Sequence, residues 1–176
     1  MDSVIMGECG TEEENVSNLR TGRCFSLDPD MSYGQMRTQL ARQKGSPIVF
    51  SMSGKELSAY GMTCGVYDEH MQAIAINRDM TYTQKRCTLV HELFHWLHGH
   101  EGCSGLYGSK NERLVRRETA MFLIDPVKCA VAESAYDGDL FNMSGELNVT
   151  VQVLEDYRRI LRDDAATPIV RHSVRL

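Results

Sequence analysis

The sequence predicts an α+β fold with one small sheet, and three observations carry this. A helical pattern near residue 33 precedes three short strand-like runs, and every later periodic segment is helical. Strands and helices do not alternate, which argues against a parallel doubly wound sheet. A length of 176 residues with 42% hydrophobic content suits one domain with a core of its own.

The elements follow in order. Residues 1–30 are polar and irregular, with Asp2, Glu8, Glu12, Glu13 and Glu14 ahead of any basic residue, and read as a flexible or loosely docked N-terminal arm. A folded domain is expected over residues 31–165 and a C-terminal tail over 166–176. Ser32 caps a helix over 33–44, with Tyr33, Met36 and Leu40 on one face and Gly45 as its stop. The run 47–52 reads as a strand. Gly65-Val66-Tyr67 and the run 73–77 read as two more, joined by a polar turn around Glu69 to Gln72. Thr81 and Gln84 form a capping box that opens a helix from Tyr82 to His98, with Val90, Phe94 and Leu97 at helical spacing and Gly99 as its end. Further helices are expected over 112–123, stopped by Pro126, over 127–136, and over 151–161. Thr150 caps the last, and Val153, Leu154, Tyr157 and Leu161 form its buried stripe.

Charge and composition narrow the function classes. Lys and Arg number 19 against 24 Asp and Glu, a net charge of −5, which argues against nucleic acid as a direct partner. Arg158, Arg159 and Arg162 are interleaved with Asp156, Asp163 and Asp164, the pattern of a solvated helix face. No run approaches the roughly 18 apolar residues that span a bilayer, and the first residues lack the basic and apolar regions of a signal peptide. A cytoplasmic protein without membrane contact is expected, its six cysteines reduced. None of them makes a CxxC pair, so a thiolate metal knuckle is not indicated.

The residues that carry chemistry are His91-Glu92-Leu93-Phe94-His95, an HExxH string inside the capped helix. Positions i and i+4 share a helix face, so two imidazoles can point at one cation. Glu92 lies close to that face without being a ligand, where it can take the proton of a water at the open coordination position. His91 and His95 are therefore candidate metal ligands and Glu92 a candidate general base for carbonyl hydrolysis. His98 sits about 10 Å along the axis from His91, too far to converge on the same ion. A longer HExxHxxGxxH pattern would need Gly at 98 and His at 101, where the chain has His98 and Glu101. The third ligand then comes from the next helix as a carboxylate, Glu112 or Glu118. Both lie on partly apolar faces, and periodicity does not choose between them. His100 and Tyr107 follow the HExxH helix as possible oxyanion donors, and Cys87 lies one turn before His91.

These residues resemble the ImmA/IrrE family of metallopeptidases. Gly65-Val66-Tyr67 followed by 73–77 is similar to the family's strand pair, and 88–97 to its HExxH helix. Glu112-Arg113 with Phe122-Leu123-Ile124 is similar to its third-ligand helix, and Leu147-Asn148-Val149-Thr150 to the segment before its last helix. The chain departs from the pattern at Phe94, where a glycine is usual, and at Glu118, where an aromatic is usual. The resemblance implies a zincin-like domain over 31–165, Glu112 rather than Glu118 as third ligand, and Zn²⁺ as the metal, with Mn²⁺ able to occupy such a site. It further implies a site-specific intracellular endopeptidase whose protein substrate is a helix-turn-helix repressor, cleaved to switch on phage, mobile-element or stress genes. An exposed strand beside the helix would hold the substrate as an added strand. Two alternatives compete: a non-catalytic, metal-binding antirepressor that masks its partner, and a toxin-like component of a two-gene system.

Overall fold

The computed structural model describes residues 4–7, 14–100 and 106–166. The fold is α+β, with two small sheets and seven helices among those residues. The expected tail lies outside them from residue 167 onward.

The first sheet is an antiparallel meander of β1 (Val4–Gly7), β2 (Glu14–Asn18) and β3 (Arg23–Leu27). The described strands differ from the irregular arm expected over 1–30, of which 1–3 and 8–13 lie outside the described residues. Val16, Phe25 and Leu27 are buried in the main core, and Val16 faces Phe25 across the ladder. Three apolar side chains at strand spacing suffice to dock an otherwise polar segment, because alternate residues share a face. Gly22, at φ +69°, makes the tight return between β2 and β3.

Helix α1 (Tyr33–Arg42) follows, with the Ser32–Gln35 capping box in place and Tyr33, Met36 and Leu40 buried, as its spacing predicts. The second sheet has the order β4-β6-β5, from β4 (Ile48–Met52), β5 (Gly65–Asp68) and β6 (Ala73–Asn77). Strand β4 is parallel to β6 and β5 is antiparallel to it. All three were legible in sequence. A short helix between them, α2 (Gly54–Ser58), was not, although Ser53 and Glu56 make its capping box.

Helix α3 (Tyr82–His98) runs through the middle of the molecule. Thr81 and Gln84 cap its start, and Gly99, left-handed at φ +63°, ends it. It is buried nearly all round, with Leu89, Val90, Leu93, Phe94 and Leu97 fully enclosed. Helix α4 (Leu106–Leu123) starts earlier than the expected residue 112, and α5 (Pro126–Tyr136) opens on Asp125 as cap. A further short helix, α6 (Leu140–Glu146), precedes α7 (Val151–Ala166). Phe25 of β3, Phe94 of α3 and Phe122 of α4 meet edge-to-face, with centroids 5.8, 5.9 and 6.2 Å apart. That trio ties the first sheet and α4 to each other and to the HExxH helix.

The C-terminal end of α3 is fastened by the first sheet as well. Arg23 donates to Trp96 O, stacks over the Trp96 ring at 5.7 Å, and pairs with Glu69 at 2.5 Å. Thr21 Oγ1 donates to Leu97 O at 2.7 Å. The Thr21 bond supplies a partner to a carbonyl of the last helical turn, and the Arg23 bond adds to the Gly99 N–H that Trp96 O already accepts. No described helix is long and apolar enough to cross a membrane.

Candidate metal centre

Helix α3 presents His91 and His95 on one face, as their spacing requires. Their Nε2 atoms lie 3.2 Å apart, with the rings crossed at 68°. Helix α4 runs beside α3 and brings Glu112 to them. Its Oε1 is 3.5 Å from His91 Nε2, and its Oε2 is 3.4 Å from His95 Nε2.

The donor set fits a small divalent cation. Tetrahedral coordination at about 2.0–2.1 Å per bond places neighbouring donor atoms about 3.3–3.4 Å apart. The distances of 3.2, 3.4 and 3.5 Å cluster around that value. The ligand atoms of the three residues all fall within 4.8 Å of one another, a single compact triangle. Two imidazoles and one carboxylate suit zinc, with manganese as a harder alternative.

The electrostatics of the three groups are mutual. Hydrogen bonds from His91 and then His95 hold the Glu112 carboxyl well below the usual carboxylate range. Burial works against a charged His91, but the Glu112 hydrogen bond and the nearby Glu92 outweigh it and raise that imidazole. A cation held there would take over the role those protons play between the groups.

Glu92 is buried beside the pair, and its Oε2 accepts from Tyr67 N of β5 at 3.0 Å. Burial pushes its carboxyl up, opposed by the neighbouring His91 and His95. The strand and the helix approach closely enough for this bond because residue 65 is glycine. A Cβ there would stand 2.7 Å from Thr88 Cγ2 and 2.9 Å from Ala75 O. Asn77 N donates to Cys64 O, so Cys64, Val66 and Asp68 turn their backbone groups toward β6. Gly65 and Tyr67 therefore turn theirs to the free edge, where Glu92 stands.

Glu118, the other candidate for third ligand, is elsewhere. Its Oε2 lies 2.6 Å from His98 Nε2, and His98 Nδ1 lies 3.0 Å from Asn18 Nδ2 of β2. His98 is thus a buried partner of Glu118 and is not part of the triangle, as its distance along the helix implies. His100 is no oxyanion donor by position: its Nδ1 lies 3.3 Å from His95 Nδ1, on the ring edge away from His91, and its ring stacks on His98. A partner on the second ring nitrogen fixes the tautomer and aim of a ligating histidine. The side chain of Tyr107 lies outside the described residues. Cys87 is a buried thiol whose burial pushes its pKa up, away from reactive character.

Three features of the site escaped the sequence. Tyr67 N–H as the anchor of Glu92 has no side-chain signature. Asn18 sat in the segment read as an arm. Arg116 lies one turn after Glu112 and binds Asp156 of α7 through Nε and Nη2, both at 2.8 Å. The Glu112–Arg116 spacing was visible, but nothing in the sequence pointed Arg116 at α7.

A buried HExxH helix, a carboxylate delivered by the next helix and a small sheet at its flank define a zincin-like metallopeptidase domain. The family comparison agrees: the model described as Peptidase M78, IrrE N-terminal-like domain, matches residues 52–156, well over half of the chain, and the protein belongs to that family. No curated protein and no solved structure matches the chain.

Proposed function

We propose that the protein is a metal-dependent, site-specific endopeptidase. The observation that carries this is the triangle of His91, His95 and Glu112 with the buried Glu92 carboxylate beside it. His91, His95 and Glu112 would hold the ion, Zn²⁺ in the first instance. When bound, the metal supplies Lewis acidity, polarising a peptide carbonyl and making water a stronger acid.

The remaining chemistry belongs to the chain's own residues. Glu92 takes the proton of the attacking water and returns it to the leaving amine. The Tyr67 N–H holds one carboxylate oxygen, so the other faces the reaction in a fixed orientation. The free edge of β5 offers the backbone groups of Gly65 and the carbonyl of Tyr67 to an extended substrate, which main-chain hydrogen bonds would bring across Glu92.

The resemblance to ImmA/IrrE peptidases supports a helix-turn-helix repressor as the protein substrate, cleaved in the cytoplasm to derepress phage, mobile-element or stress genes. The test is incubation of the purified protein with the repressor encoded beside its gene, with and without chelator. A discrete fragment that disappears with chelator and with Glu92→Gln is expected. Cleavage by Glu92→Gln at the wild-type rate would contradict the role given to Glu92. Repressor relief that survives both treatments would mark a masking module instead.

A further inference from the structure

The triangle opens into a cleft of about 220 Å³ between α3, α4 and α7, lined by His91, Glu112, Arg116, Thr119, Gln152 and Asp156. Ligand pockets for drug-sized molecules run from about 300 Å³ upward. This one is the size of a single amino-acid side chain, and it shares two walls, His91 and Glu112, with the candidate metal centre.

Its polar groups are unevenly committed. Asp156 is buried, and both of its carboxylate oxygens are taken by Arg116 at 2.8 Å, with Arg159 a further 3.6 Å contact. Glu112 faces the two histidines. The negative charge of the cleft is thus already paired, and a cationic ligand finds no open carboxylate.

What remains can donate: Arg116 only donates, while Thr119 and Gln152 both donate and accept. Thr119 is 2% exposed, and its Oγ1 is a buried hydroxyl with no hydrogen-bond partner among the described residues. It does not even use the carbonyl four residues back, the ordinary outlet for a helical threonine. A buried hydroxyl without a partner is a net cost, so native proteins rarely leave one. Arg116 keeps its second terminal nitrogen clear of Asp156 while its plane is fixed by the two-pronged bond. Gln152, exposed at the rim, adds an amide.

We propose that this cleft is the specificity subsite for the substrate residue next to the cleaved bond. It takes a side chain ending in an acceptor oxygen: a carboxamide or a carboxylate. Thr119 and Arg116 donate to that oxygen, and Gln152 closes the rim. The inference rests on the peptidase reading above and adds to it the class of residue selected.

The test uses four dipeptide hydroxamates, identical except that the side chain beside the chelating group is Gln, Glu, Leu or Lys. Their affinities are measured by calorimetry on the zinc-loaded protein and on its Thr119→Val and Gln152→Ala variants. The Gln and Glu probes are expected to bind at least ~10-fold more tightly than the Leu and Lys probes, the worth of one good hydrogen bond. Thr119→Val removes only an unpartnered hydroxyl, so its melting temperature does not fall below wild type while the preference collapses toward one. Gln152→Ala narrows it in part. Equal or tighter binding of the Leu probe, or a preference unchanged in Thr119→Val, overturns the subsite. Zinc uptake and probe binding without side-chain preference overturn the subsite alone. Absence of zinc uptake overturns the metal reading and the subsite with it.

Discussion

Replacing Phe25 with alanine measures whether the first sheet belongs to the core. Phe25 is 1% exposed, and its ring meets Phe94 at 5.8 Å and Phe122 at 5.9 Å. Truncating a buried phenylalanine costs about 3–5 kcal/mol through lost transfer energy and the cavity left behind. Two edge-to-face contacts place this site toward the upper part of that range, at about 0.5–1.5 kcal/mol per pair. Surface changes typically stay within about 0.5 kcal/mol. With a urea slope of roughly 2 kcal/mol/M, the loss moves the unfolding midpoint down by roughly 2 M. The assay is equilibrium urea unfolding followed by tryptophan fluorescence, since Trp96 lies in the same core. A midpoint within about 0.3 M of wild type, at unchanged slope, would refute the packing of β3 against α3 and α4.

Three further outcomes are expected. Glu112→Ala should weaken zinc binding beyond the ~10–100-fold cost of losing an outer partner, whereas Glu118→Gln should stay within it, both read by competition with a chromophoric chelator. Comparable losses in the two variants would contradict the assignment of the third ligand. Gly65→Ala should destabilise the protein by about 1–3 kcal/mol and lower cleavage, because its Cβ would meet Thr88 at 2.7 Å and Ala75 O at 2.9 Å and drive β5 off α3. Thr88→Ser in that background relieves only the first contact, so rescue should be partial; an untouched melting curve for Gly65→Ala alone would count against the close approach. Acid should remove the contribution of Glu69, whose carboxyl is held down at about 2 by the hydrogen bond from Arg23 and, against burial, by the Tyr67 hydroxyl. Its folded value lies below the ordinary 4.5, so the stabilisation is complete above about pH 4.5 and fades as pH falls toward 2. The melting-temperature advantage of wild type over Glu69→Gln should therefore shrink across that window, and an advantage independent of pH would contradict the pairing.

The sequence disclosed what rests on strong local periodicity. Helix α3 was legible from Thr81, Gln84, the apolar stripe and Gly99, and the HExxH spacing placed His91 and His95 on one face without any knowledge of the fold. The strands of the second sheet were legible because 73–77 is almost wholly apolar. The first sheet was not, since Glu14–Asn18 has one buried apolar residue and Arg23–Leu27 has two. The alternation of Phe25 and Leu27, followed back through Gly22 to Val16, was the signal available, and the acidic run before it obscured it. Glu112 and Glu118 lie about 120° apart around α4, each with apolar neighbours. Both meet α3, and which one reaches His91 and His95 depends on long-range ties, Arg116 to Asp156 and His98 to Glu118, that no local pattern encodes. Helices α2 and α6 are too short for periodicity to register, and only their caps, Ser53 and Asp139, announce them.

Every proposed step requires one divalent ion gripped by His91, His95 and Glu112. A crystal structure of the zinc-loaded protein with anomalous scattering measured at the zinc edge tests it most directly. A single peak per chain is expected, within about 2.0–2.2 Å of the two Nε2 atoms and a Glu112 oxygen. A peak at His98 and Glu118, or loaded protein with no peak at the triangle, would contradict it.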